Sequence, residues 1–177
     1  MKQRNDKNGS KNNEWETPDY VFNKLHDEFQ FNFDLCATLE NAKVSTYTSD
    51  ALNYDPHEAG LNIWCNPPYS FPIKDKIIKK CYELSLHDHV NVVVMLIPAA
   101  TETRAFHDII WKYADEIRLI DTRIRFKGYN TKGEYVENAT GQSGSMIVVF
   151  RNISNPWKKK IMPFVTTDKY KEDFKEE

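Results

Sequence analysis

The chain is short of the residues that build stapled or phosphate-cradling folds: of its 177 residues, three are cysteine and six are glycine. Cys36, Cys65 and Cys81 are odd in number and form no C-x-x-C pair, and two of them sit inside apolar runs. They read as reduced thiols. With so little glycine there is no phosphate-cradling loop, and no Ser-His-Asp arrangement can be assembled. Long apolar runs are also missing, so no segment is expected to span a bilayer. No apolar stretch follows the first lysines, so neither a signal peptide nor a lipid anchor is expected and the default location is the cytoplasm. Five histidines, His26, His57, His87, His89 and His107, are scattered without metal-ligand spacing, and His87-x-His89 reads as a solvated loop. Neither sign of charge dominates. With a formal net charge of -2, any nucleic-acid partner would need local positive patches.

What is present resembles an ordinary globular chain, 40% hydrophobic and 28% charged, long enough for one real core. Residues 1–13 are almost free of apolar side chains and read as a flexible tail, 14–165 as a single domain and 166–177 as a charged tail. Thr17 before Pro18 predicts a capped helix over about 18–29, with Val21, Phe22, Leu25 and Phe29 at helical spacing. F-N-F-D-L-C-A (31–37) predicts a first strand, V-S-T-Y-T (44–48) a second and L-N-I-W-C (61–65) a third. Pro72 to Leu86 predicts an amphipathic crossover helix, and V-N-V-V-V-M-L-I-P (90–98) a strand buried on both faces. A helix over 103–113 and strands at 116–120, 123–126 and 146–150 complete an α/β pattern. In such sheets ligands bind beyond the carboxyl ends of the strands. That points to Asp34–Ala37 and Asn66–Tyr69.

Asn66-Pro67-Pro68-Tyr69 suits a particular chemistry. The nitrogen of an exocyclic amino group on an aromatic ring is a poor nucleophile, and activating it calls for acceptors without competing donors. The Asn66 side-chain oxygen can accept one N–H and the Pro67 carbonyl the other, while both prolines lack an N–H and hold a fixed φ. Tyr69 can stack on a planar base, a contact worth roughly 1–3 kcal/mol. The bland alternative is a stiff strand-to-helix connection or an exposed polyproline-type ligand. The preceding apolar strand and the following amphipathic helix favour the catalytic reading.

Three blocks in order, W-E-T-P (15–18), F-D-L-C-A-T-L-E-N-A-K (33–43) and W-C-N-P-P-Y-S (64–70), resemble the phage-type Dam-like DNA N6-adenine methyltransferases. A weaker fourth block is R-I-R-F (123–126) followed by S-M-I-V-V-F (145–150). The resemblance implies a Rossmann-like methyltransferase sheet, α/β and mostly parallel with a C-terminal antiparallel hairpin, helices on both faces, and somewhat reduced. It implies S-adenosyl-L-methionine as methyl donor and adenine N6 in DNA as acceptor, on a flipped base and by direct in-line attack. Trp15, Thr17, Pro18, Asp34, Cys36, Ala37 and Asp50 match the family's cofactor positions, and Glu40 or Asn41 can reach the ribose. The donor carries its own sulfonium, so no metal is required. Two departures stand out. The turn after the first strand, D-L-C-A-T-L-E-N, has no glycine, and the interval from Asp34 to Asn66 is too short for two full βα units, so one strand or helix is expected to be reduced or missing.

For DNA contact the candidates are Arg118, Arg123, Arg125 and Lys127 with the polar loop carrying Tyr129 and Asn130, and also Trp157 to Lys160. A plain hairpin loop explains the same residues. Oligomeric state is open between monomer and weak dimer. Competing functions are methyl transfer to RNA or to protein glutamine, and a non-catalytic DNA-binding module of the same fold.

Overall fold

The structure is a computed structural model and describes residues 15–129, 134–140, 143–152 and 160–164, with only the backbone described at Tyr129 and Thr140. Elements run α1 (Asp19–Phe29), β1 (Phe33–Asp34), β2 (Leu61–Cys65), α2 (Ile73–Ser85), β3 (Val90–Pro98), a π-helical turn (Phe106–Ile110) continued by α3 (Trp111–Tyr113), β4 (Glu116–Ile120), β5 (Arg125–Tyr129), β6 (Tyr135–Thr140), β7 (Ser145–Arg151) and β8 (Lys160–Phe164). The main sheet has the order β1-β2-β3-β7-β4-β8, and β5 and β6 form a separate antiparallel pair. β1, β2 and β3 are mutually parallel, β7 is antiparallel to both its neighbours, and β8 is parallel to β4.

β3 shows why its sequence is apolar at nearly every position. Val93, Met95 and Ile97 face a cluster built with Ile77, Ile78 and Cys81 of α2 and with Phe106 and Ile110. Val92, Val94 and Leu96 face the opposite cluster, built with Val21, Phe22 and Leu25 of α1 and with Ile124 and Phe126. A period of two on a sheet covered on both faces leaves no polar side. In the second cluster Trp64 is held by Phe22 at 5.6 Å, edge to face, and by Phe31 at 5.4 Å.

Local chemistry departs from expectation at three places. Thr17 does not cap α1. A residue before proline is driven to extended backbone, so Thr17 is buried and Pro18 takes the cap position, its carbonyl accepting the N–H of Val21 at 3.0 Å. The strand expected at 44–48 is reduced to one parallel bridge between Asp34 and Tyr47, and residues 35–60 contain no helix, which is where the anticipated shortening falls. The segment from Lys127 to Gly144, read only as a polar loop, contains the end of β5 and all of β6, which pair as an antiparallel hairpin. Asn130 and 153–159, including Trp157, lie outside the described residues, as do both proposed tails.

Arg118 also departs. It was expected among the DNA-contacting cations, yet its side chain is 9% exposed and its guanidinium is committed internally, to both carboxylate oxygens of Glu28 at 2.6 Å and to Glu116 at 2.6 and 2.9 Å. Glu116 also accepts from Arg151 at 2.7 Å. The pairing ties α1 to β4 and β7, and Arg118 and Arg151 both lie over the Phe29 ring. Removing one member of such a set leaves a buried charge partly uncompensated. Arg118→Ala is therefore expected to cost about 3 kcal/mol, whereas replacing Arg118 and Glu116 together with apolar residues of similar volume recovers most of that loss; urea unfolding of both variants checks it.

Candidate active site

Phe33 pairs with Ile63 and Asp34 with Trp64 in parallel register, so β1 and β2 end side by side and their following segments leave from one edge of the sheet. A cleft of about 210 Å³ opens there. Its walls come from four pieces of chain: Trp15; Cys36, Ala37, Thr38 and Asn41 after β1; Ser49 to Leu52; and Asn66, Pro68, Ile73 and Ile77 after β2. This is the place that the crevice rule for open α/β sheets indicates.

Of the cofactor positions suggested by resemblance, Trp15, Cys36, Ala37 and Asp50 line this cleft, and so does Asn41. Thr17, Pro18 and Asp34 do not line it; all three are buried beneath. Glu40 is not part of the wall either. The small side chains of Cys36 and Ala37 take the place of the absent glycines. Asn41 is oriented by its own loop, its Oδ1 accepting the Thr38 N–H at 2.7 Å. Sequence reasoning missed Ser49, Leu52, Ile73 and Ile77, because the last two also satisfy the apolar face of α2 and carry no separate signal.

Asp34 has a supporting geometry. Its Oδ2 accepts the backbone N–H of Lys43 at 3.0 Å and its Oδ1 that of Cys36 at 3.4 Å, which closes the 36–43 loop over the end of β1. Burial pushes its carboxyl up to about 6, against the pull of these two N–H groups and the Lys43 charge. Lys43 completes the junction. Its ammonium, 9% exposed, bridges Glu16 at 2.9 Å and Asp19 at 2.8 Å. Burial pulls that ammonium down, but the hydrogen bonds to Asp19 and Glu16 reverse the effect and its pKa ends above the ordinary value. Glu16 in turn pairs backbone to backbone with Lys127, its N–H meeting the Lys127 carbonyl at 2.8 Å. One buried lysine thus ties the segment carrying Trp15 to the loop after β1, and that segment pairs with β5.

The Asn66 side chain is held from both ends. Its Nδ2 donates to the Trp15 carbonyl at 2.9 Å, and its Oδ1 accepts the Tyr69 hydroxyl at 3.0 Å. An amide oxygen has two lone pairs, so the Tyr69 contact leaves one for a further donor. The Tyr69 ring meets Phe126 edge to face at 6.1 Å, and burial drives its phenol far above the ordinary range. Pro67 is buried, and Asn66, Pro68 and Tyr69 are half-buried.

Among the DNA candidates, Arg123 and Arg125 are exposed while Ile124 and Phe126 between them are buried, a strand alternation that turns the arginines outward. Lys127 is half-buried. Among the described residues no group of three or more His, Cys, Asp or Glu is placed to hold a metal ion, and no helix is long and apolar enough to cross a membrane.

An open α/β sheet with a cleft at the ends of adjacent parallel strands, and with Asn66 and Pro68 of the Asn-Pro-Pro-Tyr segment on its wall while Pro67 and Tyr69 lie outside it, fits an amino-group methyltransferase. The sequence matches the profile of the DNA N-6-adenine-methyltransferase (Dam) family over residues 4–176, and the chain belongs to that family. It is 30% identical over 139 residues to the DNA N-6-adenine-methyltransferase of Haemophilus phage HP1, an alignment covering 77% of each chain. A solved structure from Listeria monocytogenes, assigned to the class I S-adenosylmethionine-dependent methyltransferases, aligns with a TM-score of 0.48 at 13% identity, over 89% of this chain and 68% of that one. The reaction is methyl transfer from S-adenosylmethionine to the N6 amino group of adenine in DNA.

The Asp34 geometry has a measurable consequence. The folded chain holds this proton more tightly than the unfolded chain, whose Asp titrates near 4. The associated stabilisation is complete below about pH 4 and is lost as pH rises through about 6. Urea unfolding is expected to show the wild type losing roughly 3 kcal/mol relative to Asp34→Asn between pH 4 and pH 7. Parallel pH curves would contradict it.

Proposed function

We propose that the target adenine leaves the DNA duplex and is seated against Asn66-Pro67-Pro68-Tyr69, with the methyl donor in the adjoining cleft. The observation that carries this reading is the clamped Asn66 amide: with Nδ2 on the Trp15 carbonyl and Oδ1 on the Tyr69 hydroxyl, its remaining acceptor lone pair has one orientation before any substrate arrives. That lone pair accepts one N6–H of adenine. The Pro67 carbonyl accepts the other, and neither proline brings a competing N–H. The methyl donor, when bound, would supply a sulfonium-activated methyl carbon: the N6–C bond would form as the carbon–sulfur bond breaks, leaving a neutral thioether, and the displaced amino proton would pass to solvent.

The residues at hand fit such a donor. Ala37, Ala51 and Leu52 offer an apolar wall, Trp15 an aromatic surface, and Asp50, Thr38 and Asn41 polar groups for hydroxyls and ring nitrogens. Asp50 has both carboxylate oxygens within 3.0 Å of Asn53 Nδ2, which aims the carboxylate while leaving acceptor capacity. Thr17, Pro18 and Asp34 act from below by holding the Trp15 segment and the 36–43 loop. Tyr69 combines two roles, stacking on the base and orienting Asn66 through its hydroxyl. Arg123, Arg125 and Lys127, with Tyr129 and Asn130 beyond them, engage DNA; the contact between Tyr69 and Phe126 sets their strand beside the catalytic segment. A DNA substrate and a phage relative also support action in the cytoplasm of a phage-infected or prophage-bearing bacterial cell.

DNA incubated with labelled donor, then digested and analysed by mass, tests the assignment. Asn66→Ala is expected to lower kcat by about 10²–10³, the usual effect of deleting one preorganised polar group at a reacting centre. Tyr69→Phe keeps the ring and is expected to lose up to about tenfold, as for one neutral hydrogen bond. Equal N6-methyladenine from wild type and Asn66→Ala would remove the role given to that amide.

A further inference from the structure

Phe71 is 82% exposed, the most exposed large apolar side chain among the described residues. Isolated exposed apolar residues are common on protein surfaces, but this one has a particular place. It lies on the short link between the catalytic tetrapeptide and α2, and residues on both sides of it, Pro68 and Ile73, line the cleft. The link is not slack. The Lys74 N–H donates to the Ser70 carbonyl at 3.0 Å and the Lys76 N–H to the Pro72 carbonyl at 3.2 Å, so the backbone is pinned immediately before and after Phe71. The ring has no place in either core cluster, unlike Tyr69 two residues earlier, whose ring packs on Phe126. A backbone held on both sides therefore presents a bare aromatic ring beside the cleft, two residues past the tetrapeptide proposed to seat the base.

Extrusion of a base from a duplex leaves its neighbours unstacked, at a cost of a few kcal/mol. An apolar side chain inserted at that step restores contact, and proteins that kink DNA use phenylalanine in this way. We propose that Phe71 is the duplex-opening element of this enzyme: its ring stacks on the base step vacated by the target adenine, while the adenine is held by the tetrapeptide directly preceding it. The inference rests on the base-extrusion reading given above. It assigns the apolar contact to the link at 70–72 rather than to the β5–β6 hairpin, which keeps the basic side chains.

Methyl transfer is measured on two oligonucleotides that share one methylated site: a fully paired duplex, and the same duplex with an abasic position opposite the target adenine, where little pairing energy opposes extrusion. Phe71→Ala is expected to lower kcat/KM on the paired duplex by roughly 5- to 150-fold, the range that one lost base–aromatic stack corresponds to, and to regain most of the wild-type rate on the abasic-opposed duplex. Phe71→Trp is expected to retain activity on both. Leu86→Ala, which trims an exposed apolar residue at the far end of α2, is expected to change neither rate. Phe71→Ala within twofold of wild type on the paired duplex overturns the proposal. So does an equal loss on both duplexes, or loss of S-adenosylmethionine binding by calorimetry, since either means that the ring supports the fold or the catalytic loop. The extrusion reading is checked separately with 2-aminopurine at the target position. A fluorescence rise with wild type and a weaker one with Phe71→Ala support both ideas; no rise with wild type removes extrusion and the Phe71 role with it.

Discussion

The Asn66 amide can point in only one direction, because its two ends are bonded to groups of opposite character on different pieces of chain. A backbone carbonyl at Trp15 can only accept, so it selects the amide nitrogen; the Tyr69 hydroxyl donates to the oxygen. Everything at the site follows from keeping Trp15 where its carbonyl can do this. Trp15 precedes α1 and lies in no strand or helix of its own, so contacts from other pieces of chain hold it. The grip comes from Glu16, paired through its backbone with β5 and through its carboxylate with Lys43, and from α1 packed beneath the sheet.

Lys43 is the point where these restraints converge. Its backbone N–H anchors Asp34, its ammonium anchors Glu16 and Asp19, and all of this happens with the side chain nearly removed from water. A lysine there is tolerable only because two carboxylates meet it, and Asp34 ionises only because two backbone N–H groups and that same lysine offset its burial. The loop after β1 thus has no glycine turn and is closed instead by the Asp34 carboxylate, which accepts the N–H groups of Cys36 and Lys43. Small Cys36 and Ala37 keep the surface above open.

The same restraints reach β5. It touches the Asn-Pro-Pro-Tyr segment through Phe126 and Tyr69 and the segment carrying Trp15 through Lys127 and Glu16. Exposed Arg123 and Arg125 alternate with the buried anchors Ile124 and Phe126, so surface charge and core packing share one short stretch of chain. Main-chain pairing with β6 and side-chain packing on Tyr69 hold that stretch in place.

Periodicity made the helix at 73–85 and the strands at 61–65, 90–98 and 116–120 legible, since a long apolar alternation has few ways to be buried. The position of the Asn-Pro-Pro-Tyr segment was legible as well, because the apolar run before it and the amphipathic run after it mark the end of a strand and the start of a helix, and the cleft beyond β2 has Asn66 and Pro68 on its wall. The strand at 44–48 was not, since a β-rich composition does not specify a partner; only the short span to β2 leaves it a single bridge. Nor was the fate of Arg118, whose sequence neighbours are basic candidates but whose spatial neighbours are Glu28, ninety residues away, and Glu116. The sequence alone determined most of the elements and the family that the chain resembles, because those depend on local spacing and residue identity. The tertiary structure decided which polar groups face the cleft, which brace it from beneath and which neutralise one another, because burial and charge pairing depend on contacts between residues far apart in the chain.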